Sequence, residues 1–121
     1  MKAVVLDANA LLMPFQFRLN LDREIARLLG DVPVFVPSSV LDELSGLEDA
    51  DAQAAAALAA KYEVAQTDMC GDEGVVDVAS RLSAAVVTND RALISKLKSM
   101  RIPALRLRSG RYLVMVDTGT A

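Results

Sequence analysis

Short apolar runs alternate along the chain with longer stretches whose apolar residues recur at helical spacing. Residues 3–6 are apolar throughout, as is typical of a central parallel strand buried on both faces. Further strands are predicted at residues 34–36, 64–65, 84–87, 102–107 and 112–115. The alternation predicts an α/β fold, a three-layer α/β/α sandwich with a mainly parallel central sheet.

Helices are predicted at residues 21–29, 40–47, 51–62, 75–82 and 91–100. Asn20 is placed to cap the first of these, and Ser38 or Ser39 to cap the second. Residues 12–17 are predicted to be an apolar loop packed against the sheet. Residues 102–107 lead into an edge strand, and the pair Ser109 and Gly110 predicts a hairpin turn before an antiparallel last strand.

The chain has 121 residues, of which 53% are hydrophobic, so it fits one globular domain. We predict this domain at residues 1–117, with residues 118–121 as a frayed tail. The chain has no His and one Cys, which excludes zinc knuckles, disulfide frameworks and triads or dyads that use His. It also has no long apolar span or signal-peptide pattern, which predicts a cytoplasmic protein. Carboxylates must therefore carry any chemistry.

Four acidic residues are expected at one end of the sheet. Asp7 and Asp90 directly follow predicted strands, where ligands bind in open α/β sheets. Glu43 lies within the apolar stripe of its helix, and Asp72 extends the apolar face of the next helix. We therefore expect these four side chains to converge, with Glu43 and Asp72 on core-facing sides of their helices.

Clustered carboxylates without a positive charge repel one another and are costly to bury. A divalent cation resolves this conflict, and all-oxygen ligands select Mg²⁺ or Mn²⁺, which orient water for attack on phosphate. Each acid also has a simpler interpretation when taken alone. Asp7 or Asp90 can cap the following helix, and Glu43 can be a partly exposed helix residue.

The ordered set of motifs resembles the PIN-domain nucleases. In that family an Asp-x-Asn follows the first strand, a Glu lies on a helix, an Asp opens a later helix and a Thr-x-Asp follows a strand. This chain has Asp7-Ala8-Asn9, Glu43, Asp72 and Thr88-Asn89-Asp90 in the same order. The resemblance covers nearly the whole chain and implies a PIN-like fold.

The resemblance also implies the roles of these residues. Asp7, Glu43, Asp72 and Asp90 become the catalytic metal ligands for Mg²⁺ or Mn²⁺, while Asn9 and Thr88 orient the carboxylates. Glu73 is a candidate to replace or join Asp72. Two neighbours are assigned no such role: Asp77 is expected to point away as a solvated charge, and Cys70 to be a free thiol.

A finer resemblance points to one branch of the family. The stretch at residues 12–17, Val36-Pro37-Ser38 and Ile102-Pro103 resemble the archaeal branch related to small-subunit rRNA-processing endonucleases. This implies structured RNA, an rRNA precursor, as the substrate.

The positive charge of the chain is concentrated near its C-terminal end. Residues 91–111 contain seven basic and no acidic residues, whereas the rest of the chain contains six basic and sixteen acidic residues. We predict RNA contacts by six of the basic residues: Arg91, Lys96, Lys98, Arg106, Arg108 and Arg111. The alternative is that these are ordinary solvated residues of a helix and an edge strand.

The predicted function is metal-dependent endonucleolytic hydrolysis of RNA phosphodiesters in rRNA processing. Within the family the alternative is a toxin-type ribonuclease, which would have an antitoxin partner. Two other classes are a catalytically silent RNA-binding or ribosome-assembly module and a phosphatase with Asp7 as nucleophile, although Asn9 stands where the latter needs an acid. The sequence permits a homodimer without requiring one.

Overall fold

The computed structural model describes residues 2–116, so the predicted tail lies outside the described residues. Within them the strands are β1 (Ala3–Leu6), β2 (Val34–Pro37), β3 (Glu63–Ala65), β4 (Ala84–Val87), β5 (Ala104–Arg108) and β6 (Tyr112–Met115). The helices are α1 (Ala8–Phe17), α2 (Leu21–Leu29), α3 (Ser38–Ser45), α4 (Ala50–Ala59), α5 (Gly71–Leu82) and α6 (Arg91–Ser99).

The strands form one sheet in the order β3-β2-β1-β4-β5-β6, with an antiparallel pair at β5 and β6 and parallel pairs elsewhere. This confirms the predicted α/β/α fold with an antiparallel last strand. β1 and β4 are adjacent and fully buried, and the chain leaves them toward opposite edges of the sheet. Leu6 pairs with Val87, so Asp7 and Thr88 leave the sheet side by side at this switch point.

Helices cover both faces of the sheet. α4 contacts α1 and α3, and α3 also contacts α1 and α5, whereas α6 contacts β5 and α2 contacts β6. α2 also protects the outer edge of β6: the Leu113 amide donates to Glu24 (2.9 Å), and Arg27 donates to the Leu113 carbonyl (2.7 Å). Every helix among residues 2–116 is too short or too polar to cross a lipid bilayer.

Residues 12–17 differ from the prediction because they belong to α1 rather than to a loop. Asp7 caps this helix, and burial of Leu11 and Met13 stabilises it although Pro14 cannot donate a backbone hydrogen bond. Phe15 and Phe17 are 42% and 45% exposed, so the predicted packing of these rings against the sheet is also wrong.

Other boundaries also differ. α3 begins directly after Pro37 and lacks a side-chain cap, because the Ser38 hydroxyl instead accepts from the Thr67 amide (3.1 Å). β5 is an inner strand, since the hairpin places β6 outside it. The hairpin turn is confirmed, with Ser109 and Gly110 both at positive φ, 57° and 65°.

Candidate active site

Asp7 is a buried carboxylate at the end of β1. Its Oδ1 accepts a hydrogen bond from the Ala10 amide (2.7 Å) and so caps α1, while the side chain is only 7% exposed. The pKa of Asp7 is raised from 3.8 to about 7, chiefly by burial. The Thr88 hydroxyl and the Ala10 amide lower this pKa in part, and the charges of Asp72 and Asp90 add to the rise. Asp7 therefore caps α1 and also has a strongly raised pKa.

Asp90 is held in the loop that follows β4. Its Oδ1 accepts from the amides of Ala92 (2.9 Å) and Leu93 (3.2 Å), which makes it the cap of α6. Thr88 is fully buried, and its hydroxyl accepts from the Asp90 amide (3.1 Å). The simple capping interpretation is therefore correct for both Asp7 and Asp90. It does not explain why both residues lie at the switch point of the sheet.

Two asparagines connect this loop to the rest of the site. The Asn9 Oδ1 accepts from the Asn89 amide (2.8 Å), and the Asn89 Oδ1 accepts from the Leu107 amide on β5 (2.9 Å). α1, the loop and β5 are thus joined through side chains. Asn89 was not singled out from the sequence, although its place between Thr88 and Asp90, directly after a strand, was a usable signal.

Glu43 and Asp72 lie on α3 and α5, and both are exposed. The predicted core-facing position of these carboxylates is therefore wrong, because the neighbouring residues Val40, Leu44 and Val75 fill the core and leave the acids at its margin. Desolvation and the charge of Asp90 raise the pKa of Asp72, whereas Lys96 lowers it. Neither acid has a hydrogen-bond partner among residues 2–116.

The close approach of α3 and α5 places Glu43 and Asp72 beside the same cavity. A Cβ added at Gly74 would lie 2.5 Å from the Ser39 hydroxyl and 2.9 Å from the Met69 carbonyl oxygen. The helices can therefore pack at this distance only because residue 74 is glycine.

All four predicted acids line one cavity of about 260 Å³. Asn9, Gly71 and apolar residues complete its wall, and among residues 2–116 no basic residue lines it. However, within residues 2–116 no three acids stand close enough together to form a ready-made metal site. The acids thus share a cavity without being drawn into a compact cluster.

The residues fit a hard divalent cation by their chemistry. The donors are carboxylate oxygens, and the charges of Asp72 and Asp90 already raise the pKa of the buried Asp7. A cation among them would offset this repulsion, and Glu43 and Asp72 line the same cavity as Asp7 and Asp90, which are held by backbone amides.

The other candidates lie outside this cavity. Glu73 precedes Gly74 on α5 and does not line the cavity. Asp77 points away as predicted, but it is not simply solvated, because Thr67 donates to it (2.8 Å) and Arg81 pairs with it (3.2 Å). Cys70 is a free, exposed thiol, as predicted.

The basic residues of the C-terminal segment separate into three groups. Arg91, Lys98 and Arg106 line one groove beside α6. Lys96 lies close enough to Asp72 to lower the pKa of that carboxyl group. Arg108 and Arg111 are exposed at the turn between β5 and β6. Three of the six predicted RNA contacts therefore share one groove, and all six stay predictions.

A family model described as a PIN-like domain matches residues 4–110. The chain belongs to the PIN-like domain family. Its PIN-like fold is similar to that of the PIN domain endonuclease Utp24, with a TM-score of 0.82 at 19% sequence identity, over 95% of this chain and 96% of that chain. Among curated proteins, no sequence matches this chain.

These comparisons confirm the resemblance inferred from the ordered acidic motifs. Most of the chain, from β1 to the hairpin turn, lies within the matched PIN-like region. At 19% identity, the likeness to Utp24 establishes the fold. The archaeal branch and the roles of the individual acids stay predictions.

Proposed function

We propose that this PIN-like domain is a Mg²⁺- or Mn²⁺-dependent endoribonuclease. The observation that carries the proposal is the cavity at the switch point of the sheet, which collects Asp7, Glu43, Asp72 and Asp90. Both the PIN-like family and the likeness to an endonuclease support it. The reaction would be hydrolysis of an RNA phosphodiester bond without a covalent intermediate on the protein.

The four carboxylates would hold the cation, which when bound supplies positive charge to offset that on the reacting phosphate. Asp7 and Asp90 fix the position of the site because backbone amides hold both. Asn9, through the Asn89 amide, holds the loop that carries Asp90. Thr88 keeps the first residues of that loop against β5, since its amide donates to the Leu105 carbonyl (3.0 Å).

Structured RNA, and specifically an rRNA precursor, is the substrate we favour. The resemblance of residues 12–17 to the rRNA-processing branch supports this choice, as does the basic segment at residues 91–111. A toxin-type ribonuclease would use the same acidic cavity, and co-purification of a bound antitoxin would distinguish it.

The test is cleavage of a 5′-labelled precursor-rRNA fragment with Mn²⁺ or Mg²⁺. We expect cleavage by the wild type, loss of cleavage with EDTA, and loss in Asp7→Asn and Asp90→Asn. Asparagine keeps the capping oxygen and removes the charge. Asp49→Asn is the matched control, because Asp49 caps α4 with the same 2.7 Å bond, to the Ala52 amide, and lies outside the cavity.

A silent RNA-binding module is the second candidate. The observation that favours it is the absence, among residues 2–116, of three acids gathered tightly enough for a metal. In that case RNA would bind equally well with EDTA and in Asp7→Asn, and no condition would give cleavage. This outcome would overturn the nuclease proposal for the RNA tested.

A further inference from the structure

A groove of about 590 Å³ lies beside α6, apart from the acidic cavity. Its apolar lining is formed by Ile94, Leu107 and Val116, and the three basic residues Arg91, Lys98 and Arg106 stand around it. Among residues 2–116 no acidic residue lines the groove, and none of these three basic residues pairs with an acid there. Its charge is therefore unbalanced and suited to an anion.

The helix α6 directs its basic residues to different sides. Arg91 and Lys98 are seven residues apart, or about 10 Å along the helix axis, and lie on the same side. Lys96 is two residues from Lys98, about 200° around the helix, and lies toward Asp72 instead. The groove thus presents separated charges along a line, rather than one cluster that would suit a single phosphate ion.

One loop separates the groove from the acidic cavity. Asn89 and Arg91 line the groove, while Asp90 between them lines the cavity. The Asn89 side chain is fixed to β5 through the Leu107 amide. The two concave surfaces are therefore adjacent across a wall of a single residue, whose position is held from both sides.

We propose that this groove binds the phosphate backbone of a single-stranded segment of the structured RNA substrate, on one side of the bond to be cleaved. The proposal rests on the proposed function in that the strand would pass over Asp90 into the acidic cavity. Because aromatic side chains are absent from the groove lining, recognition is through backbone charge and not base stacking. Arg108 and Arg111 lie outside this path.

The test is binding of a fluorescein-labelled 12-nucleotide single-stranded RNA, by fluorescence anisotropy in EDTA over a series of NaCl concentrations. We expect Lys98→Gln and Arg106→Gln each to weaken binding by roughly three- to tenfold and to reduce the salt slope by about 0.7, the effect of one lost phosphate contact. Lys2→Gln is the matched control, since Lys2 is exposed, precedes β1 and does not line the groove. Its binding should equal that of the wild type.

The inference is overturned if the wild type does not bind this RNA, or if Lys98→Gln weakens binding no more than Arg111→Gln does. The latter result would indicate a diffuse positive field. Because the assay is done without metal, it is independent of cleavage. If the groove variants lose binding but the wild type never cleaves RNA, the groove proposal is supported and the nuclease proposal is refuted. If the wild type cleaves RNA but the groove variants bind normally, the nuclease proposal is supported and the groove proposal is refuted.

Discussion

The four acids of the cavity fall into two pairs that the fold holds in different ways. Asp7 and Asp90 follow adjacent strands, and each caps a helix through backbone amides at 2.7–3.2 Å. The residues Glu43 and Asp72 stand on α3 and α5 and are exposed, as is Asp90, but their carboxylates, unlike that of Asp90, accept no hydrogen bond among residues 2–116. The first pair is fixed by the backbone, and the second is positioned only by the packing of its helices.

This difference explains why the acids share a cavity without forming a compact metal site. A fixed pair keeps its geometry without a cation, whereas repulsion keeps a movable pair apart until a positive charge arrives. The pKa of Asp7, raised to about 7, also indicates that a negative charge at this position is unfavourable without a cation. Under the proposed function, the strand-end pair would define where a cation binds, and the helix pair would complete its coordination.

The largest expected effect is on the cleavage rate, which should fall much further when an acid of the strand-end pair is replaced than when an acid of the helix pair is replaced. Asp7→Asn and Asp90→Asn should lower the cleavage rate by about 10²–10⁴-fold, because several kcal/mol of charge stabilisation are lost. Glu43→Gln and Asp72→Asn should lower it by roughly tenfold, and raised Mn²⁺ should restore much of that. Rates measured against Mn²⁺ concentration test this. Equal losses in all four variants would refute the distinction between the pairs.

The second prediction concerns the stability of the metal-free protein. The pKa of Asp7 is raised, so its contribution to stability is full below about pH 4 and is lost as the pH rises through about 7. The shift from 3.8 to about 7 corresponds to a cost on the order of 4 kcal/mol. Asp7→Asn should therefore be more stable than the wild type at pH 8 in EDTA, although inactive.

Urea unfolding of both proteins at pH 5 and pH 8 measures this difference. The advantage of Asp7→Asn should grow with pH, and Asp49→Asn, which removes an exposed charge from an equivalent cap, should show no such growth. A wild type that gains stability from pH 5 to pH 8 relative to Asp7→Asn would contradict the buried, repelled state of this carboxylate.

The strand-end pair was predictable from the sequence, and the helix pair was predictable only in part. Apolar runs ending in Asp7 and in Thr88-Asn89-Asp90 indicate the carboxyl ends of buried strands, which parallel pairing brings together. The order of the motifs identified Glu43 and Asp72 as members of the set, but the prediction that they face the core was wrong. Helical periodicity places a residue on a face, and the exposure at the margin of that face depends on the neighbouring helix.

Contacts between distant residues were beyond reach of the sequence. The link from Asn9 to Asn89 and on to Leu107 joins residues 80 and 18 positions apart. The Pro14 helix was missed because local propensity opposed it while tertiary burial of Met13 favoured it. The sequence showed that residues 91–111 are rich in basic residues. Which of these residues line the groove depends on how α6 packs, and only the structure shows this.

The third prediction tests whether the fixed pair depends on its loop. Asn89→Ala removes the acceptor for the Leu107 amide and should cost about 0.5–1.5 kcal/mol of stability. It should also lower cleavage by about 10–100-fold, as expected for loss of a residue that orients a ligand. Asn89→Asp, which retains the acceptor, should recover stability. Full activity in Asn89→Ala would show that the Asn89 side chain is not needed to hold Asp90 in place.

The last and smallest effect tests the movable pair through packing, without changing an acid. Gly74→Ala should destabilise the protein by about 1 kcal/mol, because overpacking against Ser39 and Met69 exceeds the gain in helix propensity. Forcing α5 away from α3 separates Asp72 from Glu43, so cleavage should fall a few-fold and the Mn²⁺ requirement should rise.

Ser39→Ala should partly rescue Gly74→Ala, since it removes the hydroxyl that the new Cβ would meet at 2.5 Å. On its own Ser39→Ala should be neutral or slightly stabilising, because the Ser39 hydroxyl is buried without a hydrogen-bond partner among residues 2–116. A double-mutant cycle in both stability and Mn²⁺ dependence measures the coupling. If stability is rescued but the Mn²⁺ requirement is unchanged by either variant, the distance between α3 and α5 does not set the position of the movable pair.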